Sequence, residues 1–237
     1  MGLLDIFTSK ERQFKKHAAR VATKKSQNQD RWASLRTLAD MKTEESARAL
    51  LARFTFRIDP SITDQEEKDL AMQGIIAAGD AAIVPVREFL RESDSIASPV
   101  KILHALVGDE VLVEYLLAEL EKMGTDYERD PQKKIDLLAF LEDRKDARIR
   151  PAVERFLEDA SENARFHAAG AILAQEDCAE SRERLLDAFL AEEGVRVRVR
   201  ILDGWIANDW EITKRLDEVM PQLPGGYVLD GAKVRKK

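Results

Sequence analysis

Apolar residues recur along this chain at i, i+3, i+4 and i+7, the spacing that gathers side chains onto one face of a helix. Counting from Arg165, the positions 3, 4, 7 and 8 residues on are Ala168, Ala169, Ile172 and Leu173. The same template fits from Arg31, Lys68, Pro99, Lys134 and Arg198, with successive starts 37, 31, 35, 31 and 33 residues apart. Of its 24 face positions only Ser34 and Glu142 are not apolar. Behind each of these A helices comes a short polar break and a second amphipathic stretch, such as Ile83, Val86, Phe89 and Leu90, or Leu185, Leu186, Phe189 and Leu190. In the sixth repeat the second face reads Ile212, Leu216, Val219 and Met220. The unit is therefore helix A, turn, helix B. One pair cannot cover its own apolar faces, whereas a stack of pairs buries them in a continuous core.

Local signals mark the ends of these helices. Thr63 followed by Glu66 reads as a capping box, and Asp130-Pro131 as an N-cap before a first-turn proline. Gly79-Asp80, Gly108-Asp109 and Lys42-Thr43 fall in the A-to-B turns, and Pro85 and Pro151 in the first turns of B helices, where a missing N–H costs little. Two inter-repeat connections are longer than the rest, Phe56–Thr63 and Gly124–Asp130, and protruding loops of this kind often carry contacts.

The repeat resembles HEAT repeats, in the short bacterial form also found in phycobilisome lyase subunits. The resemblance rests on segments such as Glu162–Leu173, with Arg165 early in the A helix and apolar pairs behind it, and covers residues 28–223; the third repeat departs from it at Pro99. It implies an all-α fold, an α-solenoid of about six antiparallel helix-pair repeats. Residues 1–27 form a basic amphipathic segment with Phe7, Phe14, Ala18 and Val21 on one face, read as an N-terminal cap helix. Residues 224–237 read as a basic, non-helical, partly ordered tail.

Composition narrows the function. Hydrophobic residues make up 44%, charged residues 35%, and breakers are few, with 11 Gly and 7 Pro. Residues 1–27 carry seven Lys/Arg against two Asp/Glu, and residues 224–237 four against one, so the net −6 combines ends at +8 with a body at −14. An acidic body repels a phosphate backbone and weighs against nucleic acid. A single cysteine, Cys178, allows no internal disulfide. The N-terminus has the wrong order of charge and apolar residues for a secretory signal and Ile6 where a myristoylation motif wants Ser or Thr; a cytoplasmic setting is expected.

Candidate chemistry is sparse. His17, His104 and His167 lie on separate helices, and with Cys178 form no ligand motif, so neither metal nor cofactor is expected. Arg196, Arg198 and Arg200 form a basic cluster expected to pair with Glu192, Glu193 and neighbouring acidic groups. The B helices of such arrays line the concave face. Their outward positions are Arg48, Arg53, Arg87, Arg91, Glu114, Glu121, Glu154, Arg155, Arg184, Asp187 and Lys214, arginine-rich first and mixed or acidic later. The resulting expectation is a non-catalytic scaffold or adaptor binding one or more proteins in this groove. Leu3, Leu4, Ile6 and Phe7 are compatible with docking to a membrane or partner. A lyase or chaperone-like subunit resembling the phycobilisome lyases is the alternative. A base-removing enzyme of the DNA-alkylation-repeat kind fits less well, because Trp205 falls in the expected core and the body is acidic.

Overall fold

A computed structural model describes the backbone of residues 3–237 and the side chains from Lys10 on. The fold is helical throughout, apart from one β-hairpin among the described residues. It divides into two compact units, residues 1–112 and 113–237.

The first unit begins with α1 (Leu3–Val21), α2 (Asn28–Met41) and α3 (Glu44–Leu51), the last tightening into a 3-10 turn at Ala52–Thr55. It continues through α4 (Ser61–Ala77), a 3-10 turn at Gly79–Ala82, α5 (Ile83–Glu92) and the start of α6 (Ala97–Leu120). Like packs on like: α2 lies against α4 and α3 against α5, with α1 on α2 and α3. Val21 is buried, and His17 Nδ1 lies 3.0 Å from Oγ of Ser34, which explains the first polar residue on the apolar template. Leu3, Leu4, Ile6 and Phe7 lie outside the residues whose side chains are described. Gly74 permits the approach of α4 to α2, since a Cβ there would stand 2.5 Å from Cβ of Ala39. The long helix α6 breaks at Gly108, whose φ of 75° suits glycine and divides the A from the B segment of the third repeat.

The second unit holds the rest of α6, then α7 (Gln132–Glu142), α8 (Ile149–Val153) running into a 3-10 segment at Glu154–Glu158, and α9 (Glu162–Leu173). After a 3-10 turn at Cys178–Ser181 come α10 (Arg182–Ala191), α11 (Val195–Ala207) and α12 (Leu216–Val219). Here α9 packs against both α7 and α11, and α10 against the segment following α8. All six predicted A segments are helical, and their template faces hold the core: Leu35, Ile75, Ile102, Leu137, Ala168 and Ile201 are each fully buried. Among the described residues no single helix is long and apolar enough to cross a membrane.

Three local expectations need correction. The capping box is not at Thr63 and Glu66, because α4 already begins at Ser61 behind Pro60. It sits at the start of α3, where Thr43 Oγ1 accepts from Ser46 N–H and Ser46 Oγ accepts from Thr43 N–H. Residues 224–237 are an ordered hairpin, β1 (Tyr227–Asp230) and β2 (Lys233–Lys236), turning at Gly231 with φ of 62°. Tyr227 and Val234 are buried, β2 packs on α11, and Tyr227 Oη donates to Asp203 at 2.6 Å. The hairpin also reshapes the sixth B segment: Ile212 N–H donates to Ala232 O, so helix starts only at Leu216 and Met220 is left exposed.

The residue that opens each A template does more than start a helix. Arg165 donates through Nη1 to Asp159 O in the loop before its own helix, and through Nε and Nη2 to both oxygens of Glu192, at 2.6 and 2.9 Å, in the loop before the next. Lys134 repeats this, with Gly124 O at 2.9 Å behind it and Asp159 at 2.7 Å ahead. Asp159 and Glu192 each precede the next template start by six residues. Arg198 closes the series by donating to Gln222. In the first unit Arg31 donates to Ser26 O and to Glu67, which also accepts from Arg53 at 2.6 Å. Arg53 is fully buried, donating also to Asp64, so it cannot belong to an outward groove. The helix tightens after Leu51, and that change of winding carries Arg53 inward.

These pairs set local ionisation. Burial pulls the Lys134 ammonium down, but Asp159 and Glu128 outweigh it and hold its pKa above the usual lysine value. Burial pushes Asp64 up, but Lys68, Arg53 and the Ile58 N–H outweigh it and hold its pKa at about 2, against an ordinary 3.8. Removing one member of a buried pair strands the other, typically at ~3–5 kcal/mol. Lys134→Met is therefore expected to lower stability in urea melts by about 3 kcal/mol, and Lys134→Met with Asp159→Asn by clearly less, since the amide keeps the Ser161 N–H satisfied. The depressed Asp64 pKa favours the folded state above the ordinary aspartate value, and that contribution is lost as pH falls toward about 2. Asp64→Asn should accordingly lower stability at neutral pH and flatten its decline between about pH 4 and 2, followed by denaturant melts across that range.

Candidate binding surface

The outward sides of the B segments carry a repeated four-residue stripe. On α6 it reads Glu114, Leu117, Ala118 and Glu121; on the segment around α8, Arg148, Pro151, Ala152 and Arg155; on α10, Arg184, Asp187, Ala188 and Ala191. Each has the i, i+3, i+4, i+7 spacing of a helix face, although Glu121 lies just past α6 and the second set runs from Arg148, before α8, into its 3-10 extension. Small residues at the centre of each stripe keep the neighbouring helices from filling the space between them, and two cavities result. One, of about 470 Å³, lies between the stripes of α6 and α8 and is lined by all eight of those residues with Leu120. The other, of about 620 Å³, lies between the 3-10 segment after α8 and α10, and includes Glu154, Glu158, Asp159, Arg184, Asp187 and Glu193.

Six of the eleven groove residues expected from sequence thus line one cavity or the other: Glu114, Glu121 and Arg155 the first, Glu154, Arg184 and Asp187 the second. The remainder lie elsewhere. Arg48 is exposed on α3 and engages Glu44 and Glu88. Arg87 and Arg91 are exposed on α5 of the first unit. Lys214 is exposed outside any helix, 3.9 Å from Glu183.

The arginines on this surface are already engaged. Arg155 Nη2 donates to Leu120 O at 2.8 Å and to Glu121 O, so its cation sits on carbonyls at the C-terminal end of α6, where positive charge is favoured. Arg148 folds onto Asp146 with bonds of 2.8 and 2.7 Å. Arg165 is held by Glu192, whose carboxyl burial would raise but Arg165 and the Gly194 N–H keep below the usual range. Several acids are likewise paired, Glu154 with Arg150 and Asp187 with Arg215. Glu114, Glu121 and Glu193 carry no ion pair among the described residues.

The other candidates resolve into structure. Arg196, Arg198 and Arg200 do not pair with Glu192 and Glu193: Arg196 reaches Asn163 and Glu162, Arg198 reaches Gln222, and Arg200 reaches Glu142. Arg196 and Arg200 also stand over the Phe166 ring, at 4.3 and 4.8 Å. Glu142, the second polar residue on the template, accepts from Arg200 and lies 3.1 Å from His167 Nδ1; Gly170 leaves room for that crossing. Cys178 is buried, which pushes its thiol pKa up, away from nucleophilic character. No group of three metal-binding side chains converges among the described residues. The two longer connections each expose one large apolar residue, Ile62 and Tyr127.

Comparison with protein-family models, curated proteins and solved structures returns no match.

Because Arg155 serves the end of α6, Arg155→Ala should lower stability by about 1 kcal/mol and leave Glu114 and Glu121 as exposed as before. A thermal melt paired with circular dichroism checks this; an unchanged melting temperature would free Arg155 for recognition.

Proposed function

We propose that this chain is a non-catalytic, cytoplasmic protein-binding scaffold, an α-solenoid of six HEAT-like helix pairs with α1 as its N-terminal cap, that receives partner proteins on the outward face of its B helices. The observation that carries the reading is the pair of cavities in the second unit, one between the stripes of α6 and α8 and one between the α10 stripe and the 3-10 segment after α8. Stacking supports the repeat architecture: within each unit A helices pack on A helices and B segments on B segments. The surface suits recognition rather than chemistry. Its floor is small and apolar, and its charged groups are mostly tied to one another, the buried Asp159 and Glu192 among them, held by Lys134 and Arg165.

The test is to fill the cavities. Ala152→Arg with Ala188→Arg places a long side chain in each, at half-exposed positions that tolerate it. Affinity capture from native lysate with the full chain should recover a discrete protein partner, and the doubly filled variant should lose it with helicity intact. A partner still recovered by the filled variant at undiminished yield moves the interface off this face. Arg87→Glu with Arg91→Glu, on the first unit, serves as the comparison and is expected to retain the partner.

A further inference from the structure

The groove between the α6 and α8 stripes has properties that define its occupant. Its floor is apolar and low, made by Leu117, Ala118, Pro151 and Ala152, and it runs between two helical stripes. Its two rims differ in availability. The basic rim is spent internally, Arg155 on the carbonyls of Leu120 and Glu121 and Arg148 on Asp146. The acidic rim is not: Glu114 and Glu121 are exposed and without an ion pair among the described residues. The groove therefore presents two carboxylates without an ion pair along its α6 edge beside an apolar channel, across from guanidinium groups already held by hydrogen bonds. The two carboxylates stand seven residues apart, Glu114 on α6 and Glu121 one residue past its end, where its N–H still donates to Leu117 O at 2.9 Å. They therefore lie about two turns, or ~10 Å, apart along the axis.

We propose that this groove binds an amphipathic helix of a partner protein, its apolar ridge in the channel and two basic side chains, themselves two turns apart, on Glu114 and Glu121. This rests on the scaffold reading and names the chemistry of its partner. A helix supplies the matching repeat because side chains at i and i+7 recur on one face at the same rise as the two glutamates. Alanines at the floor let such a helix approach to ordinary packing distance, about 8–10 Å between axes. The neighbouring cavity, with Glu158, Asp187 and Glu193, extends the negative field and would steer a cationic segment toward the face.

The test uses the full chain and two fluorescein-labelled helical peptides of roughly 18 residues. Both carry the same Leu/Ala ridge, one with flanking lysines seven residues apart and its twin with glutamates there. Fluorescence anisotropy should show binding of the lysine peptide that weakens with added salt, and no comparable binding of the glutamate twin. Glu114→Gln with Glu121→Gln should weaken the lysine peptide about tenfold, on the order of 1.4 kcal/mol, with circular dichroism unchanged. Equal binding of the two peptides, no binding of the lysine peptide, or indifference to the double substitution would overturn the proposal. Self-association of the wild-type chain by sedimentation, relieved by that substitution, would make a second copy the occupant and also overturn it. Ala152→Arg separates the two levels. If it abolishes capture of the native partner while the lysine peptide never binds, the scaffold reading stands and the cationic helix falls. If the native partner is captured regardless, its interface lies off this groove and the cationic-helix proposal fails, while the scaffold reading is judged by the doubly filled variant.

Discussion

A cation at the start of an A helix cannot be buried alone. Lys134 and Arg31 are almost wholly enclosed, and an ion moved out of water costs several kcal/mol unless a counter-charge and hydrogen bonds meet it. Here the compensation comes from two places at once, a carbonyl in the loop behind the helix and a carboxylate ahead of it. Loop and helix are thereby fixed together, and in the second unit each repeat is set in register against the next by the same kind of bond. Lys134 and Arg165 form consecutive links, since Asp159 both pairs with Lys134 through its carboxylate and accepts from Arg165 through its carbonyl. The second and third repeats lack this device: Lys68 turns back to Asp64 on its own helix, and Pro99 carries no charge. It is within the third repeat that the chain passes from one compact unit to the other.

The same economy determines what the surface offers. Arginines counted along the chain overstate its available positive charge. Arg53 is consumed beneath α4, Arg155 at the end of α6 and Arg165 at a buried glutamate. The carboxylates are more numerous, and some at the rim have no partner left. The expected mixed or acidic character of the later B helices lies, in the second unit, in two rim carboxylates without an ion pair among the described residues, Glu114 and Glu121.

Much of the helical framework was legible in the sequence because burial imposes a strict period. A face that must contact another helix cannot tolerate polar groups unless they have partners, and the two exceptions each proved to have one: Ser34 with His17, and Glu142 with His167 and Arg200. What escaped was decided by winding or by distant pairing. Arg53 reads as outward on an ideal helix, but the backbone tightens to 3-10 geometry after Leu51. Thr63 and Glu66 satisfy a capping pattern that the earlier start of α4 makes irrelevant. The hairpin did leave a signal, Asp230-Gly231 between apolar residues, which is a strong short-range turn marker. Its basic composition and terminal position drew attention to charge instead. The destinations of Arg196, Arg198 and Arg200 depend on residues 24 to 58 positions away, and no local rule reaches that far.

The B face is better read by size than by sign. Long charged side chains on facing helices would bridge and close the space between them. At Ala118, Ala152 and Ala188 the side chain stops at Cβ, and each of these residues lines a cavity. These alanines contribute little to the apolar core, which lies on the opposite side of each helix. Their place at the middle of successive outward stripes keeps the two cavities open, with flanking Arg, Glu and Asp residues at the rims. In the proposed complex, charge selects which helix enters, and the small residues leave it room.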